Sequence, residues 1–231
     1  MKLVIGGSTG FVGTELISQA LSDPAITSII ALSRRETPTP PGSTKLKSIA
    51  CDNFESYPDN VREELKDVDA CIWTIAITPA KLKGIPFDDV CKISRDYAVT
   101  AIRTLAELRS TQDRPLRFIY VSGHVAPRSL AEVPPEFSGH GLTDYGLMRG
   151  EAETQILAYA EQSNGTVESC VVKPGVIDAP DKEKRIISGI PNIDIRVFAA
   201  TMLDQVINGF KKDTLRNDDM IQIGEQALAK K

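Results

Sequence analysis

The sequence Ile5-Gly6-Gly7-Ser8-Thr9-Gly10-Phe11-Val12-Gly13 lies between two segments with different hydrophobic patterns. Residues 3–5 before it form a short apolar run, and residues 14–21 after it carry apolar side chains at helical spacing. This order predicts a buried strand, a glycine turn and an amphipathic helix at the start of the chain. Such a unit is typical of α/β folds that bind a dinucleotide.

The three spaced glycines each suit a different task in that unit. Gly7 permits a tight turn, Gly10 lets the backbone approach a pyrophosphate, and Gly13 lets the helix pack closely on the strand. The helix N-terminus adds N–H groups and a partial positive charge that favour phosphate. The sequence therefore predicts that the dinucleotide contacts Gly7, Ser8, Thr9, Gly10, Phe11, Val12 and Gly13.

Two other interpretations fit the same turn. It could join strand and helix without holding any ligand. The spacing Gly6-x-Ser8-x-Gly10 also fits a nucleophile elbow, in which the serine attacks a substrate. An elbow sits above the middle of a sheet, however, and only one short strand precedes Ser8. Neither His124 nor His140 has an evident acidic partner in the sequence, so we favour dinucleotide binding.

Composition and charge narrow the class of protein. The chain has 231 residues, 42% of them hydrophobic, which suits a single domain spanning residues 1–231. A net charge of −4 argues against nucleic acid or an anionic membrane as a partner. The N-terminal apolar run is too short for a signal peptide, and the longest nearly apolar run, 70–77, is too short for a membrane span. We expect a cytoplasmic protein whose partner is a small-molecule substrate, with a homodimer as the oligomer to test.

The cysteines and histidines give no sign of a metal site. Cys51, Cys71, Cys91 and Cys170 are widely spaced, and the chain has no Cys-x-x-Cys pair. The two histidines add no ligand spacing, so no metal is expected. Without a secretory signal, four buried free thiols are the expected state.

The end of the second predicted strand bears on which dinucleotide binds. Residues 26–32 form a strand-like run that ends at Ser33-Arg34-Arg35. In a dinucleotide fold this strand end meets the adenosine ribose, where an acid binds a free 2′-hydroxyl and an arginine accommodates a 2′-phosphate. The two arginines precede the nearest acid, Glu36, and therefore favour NADP(H). The alternative is a pair of solvated loop arginines.

The rest of the chain alternates between strand-like and helical segments. Strands are predicted at 46–50, 70–77, 116–122, 166–173 and 220–223, and helices at 61–65, 87–109, 143–162 and 197–210. This alternation predicts an α/β fold with a doubly wound parallel sheet, the Rossmann fold. After the third strand, Asp52 is placed to meet an adenine edge or to form a turn. Ile75 and Ala76, at the end of the fourth strand, should lie beside the cofactor ribose.

Five motifs occur along the chain in a familiar order. They are Gly7-x-x-Gly10-x-x-Gly13, Ser33-Arg34-Arg35, Tyr120-Val121-Ser122, Tyr145-x-x-x-Arg149 and Lys173-Pro174-Gly175-Val176. With them the whole chain resembles an atypical or extended short-chain dehydrogenase/reductase. Residues 78–84, 94–97 and 150–153 add a resemblance to the small group typified by the HIV Tat-interacting protein and its fungal relatives.

The resemblance implies a catalytic pair on one helix. In the family, the tyrosine of Tyr-x-x-x-Lys is the general acid for carbonyl reduction, while the lysine holds the nicotinamide ribose and lowers the tyrosine pKa. Tyr145 fits the first role, and Arg149 stands where the lysine is expected. Their spacing places both side chains on one helical face, so both are candidates for catalysis and for cofactor binding. Arginine keeps the charge but is a larger, planar donor, and a core tyrosine beside an exposed arginine is the alternative.

Further family positions follow the fifth and sixth strands. A family serine or threonine polarises the substrate carbonyl, and Ser122 is the candidate here. One alignment places that position at Gly123 instead, with His124 next to replace the hydroxyl or to cap the loop. The resemblance also implies that a small C-terminal annex, from about residue 178 to 231, forms a wall of the substrate pocket. It further implies a backbone border for the nicotinamide, formed by Pro174, Gly175 and Val176.

Three functions remain open for such a chain. The first is an NADPH-dependent oxidoreductase acting on a small carbonyl or enone. The second is a cofactor-binding protein without redox turnover, serving as a regulator or scaffold. The third is a biosynthetic enzyme that uses the fold for non-redox chemistry. The glycine turn is compatible with all three functions. Arg149 and Gly123 depart from the family pattern and therefore count against the first function, which we nevertheless retain as the working hypothesis.

Overall fold

The computed structural model describes residues 1–110, 113–133, 142–181 and 183–230. Within these ranges seven strands form one parallel sheet in the order β3-β2-β1-β4-β5-β6-β9, and β7 pairs with β8. The strands are β1 (Lys2–Gly6), β2 (Ser28–Ser33), β3 (Leu46–Ala50), β4 (Ala70–Trp73), β5 (Leu116–Val121), β6 (Val167–Lys173), β7 (Val176–Asp178), β8 (Asn192–Asp194) and β9 (Thr214–Arg216).

Helices cover both faces of this sheet. They are α1 (Phe11–Ser22), α2 (Asp59–Glu64), α3 (Phe87–Cys91), α4 (Tyr97–Glu107), α5 (Thr143–Gln162), α6 (Ile195–Asn208) and α7 (Asn217–Ala229). One hydrophobic core joins the sheet to α2, α4 and α5, and the second joins it to α1, α6 and α7. A parallel sheet with helices on both faces confirms the predicted Rossmann fold.

The strand order places the ligand-binding crevice of such a fold. The chain builds β1, β2 and β3 outward on one side, and it then returns to place β4 on the other side of β1. Gly6 at the end of β1 pairs with Leu32 of β2 and with Trp73 of β4. In open α/β sheets, ligands bind outside the carboxyl ends of the strands at such a switch point. The glycine turn, which follows Gly6 directly, lies there.

The fourth strand is shorter than its apolar run predicts. β4 ends at Trp73, although residues 70–77 are nearly all apolar. Thr74 Oγ1 donates a hydrogen bond to the Gly6 carbonyl at 2.7 Å, and the chain then leaves the sheet. The Ile77 N–H donates to Ser94 Oγ at 3.0 Å. The predicted extension to residue 77 is therefore wrong, because the Ile77 backbone bonds to a helix rather than to a neighbouring strand.

The C-terminal part also differs from its prediction. Residues 220–223, predicted as a strand, belong to α7, and the last strand is β9. Met220 and Gly224 are both buried, and their separation of four residues is helical spacing. The annex predicted from about residue 178 is narrower than expected, because α6 packs in the second core and β9 extends the sheet beyond β6. The β7–β8 pair is the part that lies outside the main sheet.

The predicted helix 87–109 contains a π-helical turn, Lys92–Asp96, between α3 and α4. The Ser94 carbonyl in this turn accepts hydrogen bonds from the Tyr120 hydroxyl at 2.7 Å and from the Arg149 guanidinium at 3.4 Å. Wide turns of this kind disturb the regular bonding of a helix and often occur at functional sites. Here the turn ties α4 to β5 and α5.

The described residues also bear on thiols, membranes and metals. Cys51, Cys71 and Cys170 are buried free thiols as predicted, whereas Cys91 is partly exposed. No described helix is both long enough and apolar enough to cross a membrane. Among the same residues, no group of three or more histidine, cysteine or acidic side chains is placed to hold a metal ion.

Candidate cofactor and active site

Gly7 and Gly13 are required by the fold of the turn itself. Gly7 has a φ of 87°, a conformation that side chains disfavour, and its N–H donates to the Leu32 carbonyl at 2.8 Å. A Cβ on Gly7 would overlap Thr74 Oγ1. A Cβ on Gly13 would overlap the Gly7 carbonyl and lie 2.8 Å from Ser8 Cα. These two glycines therefore close the turn and bring α1 against β1.

Gly10 is different, because the fold does not require a glycine there. Its φ of −83° and ψ of 169° are extended backbone, which any residue adopts. A Cβ at this position would meet one atom within 4 Å, the Gly7 carbonyl oxygen at 3.1 Å. Gly10 is exposed and stands at the N-terminus of α1. The bare backbone at Gly10 thus leaves open a space beside a helix N-terminus that a side chain would fill.

Of the side chains next to Gly10, one is buried and the others are at least partly exposed. Ser8 is fully buried, and its hydroxyl is 2.7 Å from Thr37 Oγ1. A nucleophile elbow presents its serine at the surface, so the buried Ser8 argues against the hydrolase interpretation. Thr9 and Val12 are partly exposed, and Phe11 is exposed. Ser8 therefore contributes to the site through its backbone, and its side chain stabilises the turn.

The arginines predicted to select the cofactor follow β2 at the same edge of the sheet. Ser33 is buried, and its hydroxyl donates to the Arg35 carbonyl at 2.5 Å. Arg34 and Arg35 are exposed, and neither makes an ion pair with any residue that the structure describes. Asp52 is exposed just after β3, the neighbouring strand. The structure thus brings Ser33, both arginines and Asp52 to the ends of adjacent strands.

Tyr145 lies beside the end of β4. Its hydroxyl donates to the Ile77 carbonyl at 2.8 Å, and its ring packs in a small apolar cluster with Ile77, Val90 and Met148. Burial raises the pKa of Tyr145, and the nearby charge of Arg149 opposes this with a smaller effect. The partly buried Ile75 and Ala76 immediately precede Ile77. The structure therefore brings Tyr145 close to the predicted ribose segment.

Arg149 does not occupy the place of an open, ribose-holding cation. It is 3% exposed, and its guanidinium donates to the Ser94 and Val121 carbonyls. The guanidinium carbon also lies 4.8 Å from the centre of the Tyr120 ring, a cation–π distance. Arg149 therefore joins α5 to β5 and to the π turn. The alternative of an exposed arginine is therefore wrong. Arg149 acts on Tyr145 through its charge, which opposes the rise in the Tyr145 pKa.

Ser122 is held by a buried carboxylate that the sequence did not single out. Its hydroxyl donates to Glu153 Oε1 at 2.5 Å, and Glu153 is fully buried. Lys173 Nζ lies 2.8 and 2.9 Å from the two Glu153 oxygens, and Arg128 Nε lies 2.9 Å from Oε2. These groups come from β6, α5 and two points after β5, and their sequence spacing has no regular pattern. The Ser122 hydroxyl thus donates its proton to Glu153, and its predicted role at a substrate carbonyl stays a prediction.

His124 follows Ser122 and Gly123 and remains partly exposed. Its backbone N–H donates to the Pro174 carbonyl at 2.8 Å. Burial lowers the pKa of His124, and the charges of Arg216 and Lys173 lower it further. These effects favour the neutral imidazole, which keeps one N–H donor.

The segment Pro174-Gly175-Val176 is shaped by packing between loops. A Cβ on Gly175 would overlap the Pro191 carbonyl, and that carbonyl accepts the Val176 N–H at 2.8 Å. The Gly175 N–H donates to Asn217 Oδ1 at 3.0 Å. The Gly175 and Val176 N–H groups are thus bonded to Asn217 and Pro191, and the expected backbone border for a nicotinamide stays a prediction.

The parallel sheet, the flanking helices and the glycine turn after β1 together define a Rossmann domain. No model of a known protein family matches the chain. The leucinostatins biosynthesis cluster protein T of Purpureocillium lilacinum is 28% identical over 127 residues, which make up 53% of this chain and 42% of that protein. The chain therefore spans less than half the length of this relative.

Solved structures with a similar fold include several enzymes with bound NAD. The dTDP-glucose 4,6-dehydratase DesIV of Streptomyces venezuelae, with NAD and TYD bound, has a TM-score of 0.71 and 13% identity; the match covers 99% of this chain and 81% of that one. The UDP-glucuronic acid 4-epimerase of Bacillus cereus, in complex with UDP-glucuronic acid and NAD, has a TM-score of 0.66 and 15% identity, with 94% and 77% covered. An engineered reductase has a TM-score of 0.67 and 16% identity, with 94% and 78% covered. At such low identity these likenesses show a shared fold.

Proposed function

We propose that this protein binds a nicotinamide dinucleotide, preferably NADP(H), and uses it to reduce a small carbonyl or enone. It would then be an atypical short-chain dehydrogenase/reductase, as its five motifs suggest. The observation that carries the proposal is Gly10: its backbone conformation suits any residue and a Cβ there would meet a single close atom, the Gly7 carbonyl oxygen at 3.1 Å, yet the position presents bare backbone at a helix N-terminus. A pyrophosphate needs both features, because it accepts hydrogen bonds from backbone N–H groups and must approach them closely.

The residues of the adjacent strand ends fit the rest of such a cofactor. Arg34 and Arg35 are exposed after β2, where a 2′-phosphate would accept charge-assisted hydrogen bonds from them. Asp52 follows β3, where it would meet the adenine, and Ile75 and Ala76 follow β4, where they would lie beside the second ribose. When bound, the cofactor supplies hydride transfer to the substrate. This arrangement supports NADP(H) rather than NAD(H).

Tyr145 is the group best placed to donate a proton to the substrate oxygen. Its hydroxyl carries a proton at neutral pH, because burial raises the Tyr145 pKa. To act, the hydroxyl must exchange the Ile77 carbonyl for the substrate oxygen as acceptor. Arg149 then acts as a positioning residue, since its buried charge favours the tyrosinate that forms when the proton leaves.

The second candidate function is dinucleotide binding without redox turnover. Both members of the expected catalytic pair bond to backbone carbonyls, Tyr145 to Ile77 and Arg149 to Ser94 and Val121. Ser122 is likewise bonded to Glu153. Side chains engaged in this way stabilise the protein whether or not they take part in a reaction. These contacts favour a regulatory or scaffold protein over the third, non-redox biosynthetic alternative.

A turnover experiment separates the two candidates. Purified protein is first tested for NADPH and NADH binding by calorimetry and then for NADPH consumption with a panel of aldehydes, ketones and enones. With an active substrate, Tyr145→Phe should lower kcat about a hundredfold or more while NADPH affinity stays near that of the wild type. Tyr159→Phe, a partly exposed tyrosine on the same helix, is the matched control and should retain full activity. Binding without consumption of NADPH across the panel would select the second candidate.

A further inference from the structure

An open cavity of about 330 Å³ lies beside the edge strand β9, away from the glycine turn. Every residue that lines it is polar or charged, and four of them are basic: Arg128, Lys173, Lys212 and Arg216. Lys173 and Arg216 are the last residues of β6 and β9, and Arg128 comes from the segment after β5. The fold thus gathers four cations from separate parts of the chain around one concave surface.

This cavity is distinct from the candidate cofactor site. Tyr145 bonds to Ile77 in the segment that follows β4, and two strands, β5 and β6, separate β4 from β9 in the sheet. The segment around Pro127 also lies against α5, where a Cβ on Gly150 would overlap the Pro127 carbonyl. Neither the proposed cofactor nor a substrate at Tyr145 accounts for the cations at β9.

Carboxylates balance only part of the positive charge. Lys173 and Arg128 share one fully buried carboxylate, Glu153. Lys212 pairs with Asp219 at 2.6 Å, whereas Arg216 forms no ion pair with any residue within the described ranges. The remaining acid, Glu132, accepts the Arg128 backbone N–H at 3.0 Å. Among the residues that the structure describes, the four cations that line the cavity thus have three carboxylates beside them, Glu153, Asp219 and Glu132.

The cations also have unused hydrogen-bonding capacity. A guanidinium carries five N–H donors. In Arg128, Nε bonds to Glu153 and Nη2 to Thr214 Oγ1 at 2.9 Å, which leaves further donors on the same group. The exposed Arg216 adds a second guanidinium, which in the described part of the chain has no ion-pair partner. Arginine forks of this kind match the paired oxygens of phosphate and carboxylate groups.

Neighbouring groups respond to this positive potential. Burial lowers the pKa of Lys173, and although Glu153 opposes the change, Arg128 and Arg216 lower it further. Burial also lowers the pKa of His124, with Arg216 and Lys173 adding to the effect and Asp218 opposing it. An anion in the cavity would relieve this repulsion and would raise the pKa of His124.

We propose that the cavity at β9 is a second ligand site, which binds the oxyanion group of a small molecule through Arg216 and Arg128, with Lys212 and the buried Lys173 adding positive charge. A phosphate group and a carboxylate group share this recognition chemistry. The proposal does not depend on the proposed reductase function, because Arg216 and Lys212 are not among the predicted catalytic or cofactor residues, and Lys173 and Arg128 meet that set only through Glu153, which binds Ser122.

His124 provides a local measurement, since the chain has two histidines and His124→Gln identifies its signal. The pKa of His124 is measured by NMR in the full chain, with inorganic sulfate as the phosphate-like probe and succinate as the carboxylate probe. Sodium chloride at equal ionic strength corrects for screening. We expect at least one probe to raise the His124 pKa saturably, by about 0.3 units or more beyond sodium chloride.

Two variants assign the response to the cavity. Arg216→Gln should weaken the probe about tenfold, because it removes charge-assisted hydrogen bonds from an exposed position without altering the core. Lys211→Gln makes the same charge change next to the cavity and should keep wild-type affinity. The Arg34→Ala/Arg35→Ala double variant should also keep it, which separates this site from the cofactor site. No saturable shift with either probe, or equal affinity in Arg216→Gln, would overturn the proposal.

Discussion

The Gly10→Val substitution should separate cofactor binding from stability. Gly10 has an extended backbone conformation, which suits the β-branched valine, and a Cβ there meets one close atom, the Gly7 carbonyl oxygen at 3.1 Å. Replacing glycine restricts the unfolded chain and stabilises by about 0.4–1 kcal/mol. The contact with the Gly7 carbonyl oxygen opposes this by about 1 kcal/mol, the low end of the cost of overpacking, because it is one contact at 3.1 Å and no other atom lies within 4 Å. The free energy of unfolding in denaturant should therefore stay within about 1 kcal/mol of the wild type.

The same change should remove most of the affinity for NADPH. The valine side chain would fill the space beside the α1 N-terminus and would hold a pyrophosphate away from the backbone N–H groups. A hydrogen bond to a charged group contributes about 1.5–3 kcal/mol, so losing one bond costs about ten- to a hundredfold in affinity. Calorimetric titration should show NADPH binding weakened by about a hundredfold or more.

Gly13→Ala is the matched control, because it should lower the stability of the protein, which Gly10→Val should leave nearly unchanged. Its Cβ would overlap the Gly7 carbonyl and approach Ser8 Cα to 2.8 Å, and backbone atoms cannot give way as a flexible side chain does. Overpacking of this kind costs about 1–3 kcal/mol of stability. A folded Gly10→Val protein with unchanged NADPH affinity would refute the assignment of the glycine turn to the pyrophosphate.

Other substitutions test the remaining groups. Replacing both Arg34 and Arg35 by alanine should weaken NADPH about tenfold or more and leave NADH unchanged, because only NADPH has the 2′-phosphate; equal wild-type affinity for both cofactors would contradict this. Glu153→Gln should lower the free energy of unfolding by about 3–5 kcal/mol, since it leaves the buried Lys173 without its carboxylate partner, whereas Glu151→Gln at an exposed pair should cost less than about 1 kcal/mol. Because the pKa of His124 is lowered in the folded protein, His124 binds a proton more tightly in the unfolded chain. The contribution of His124 to stability is therefore present above a pH of about 6.5, the pKa in the unfolded chain, and is lost as the pH falls through the folded-state pKa. Unfolding curves of His124→Gln should show a smaller loss of stability between about pH 7 and pH 5 than the wild type does.

The local hydrophobic pattern of the sequence was sufficient to predict most of the fold. β3 and α5 begin and end at the residues that the sequence predicts, and the glycine turn lies between β1 and α1 as expected. Alternation of strands and helices then leads to the parallel sheet, because parallel strands need crossover connections. Local hydrophobic periodicity is enough to predict these features.

Errors occurred where a short apolar run was ambiguous. The run 70–77 continues past Trp73, but the Ile77 N–H bonds to Ser94 of the π turn, a partner that no local pattern reveals. The run 220–223 has apolar residues that suit a strand, yet its neighbours extend it into α7. Short apolar segments do not distinguish a strand from a buried helix by periodicity.

The side-chain contacts of the candidate site lie beyond what sequence spacing can give. Arg149 has the i,i+4 spacing from Tyr145, but its burial depends on the Ser94 carbonyl 55 residues earlier. Glu153 binds Ser122 across 31 residues and Lys173 across 20. Such contacts depend on the register of the sheet and on where α5 crosses it. A polar side chain predicted at a strand end can therefore turn out to be bonded inside the protein.

The π turn at Lys92–Asp96 fixes the rotational phase between α3 and α4. An α-helical residue turns the chain by about 100°, so removing one residue from this turn would rotate α3 by about that angle relative to α4. Val90 on α3 would then point away from Ile77 and Met148, the buried residues that with Val90 form the cluster on which Tyr145 packs. Substitutions in the turn preserve this phase, whereas a one-residue deletion destroys it. The number of residues in the turn thus controls the packing around Tyr145.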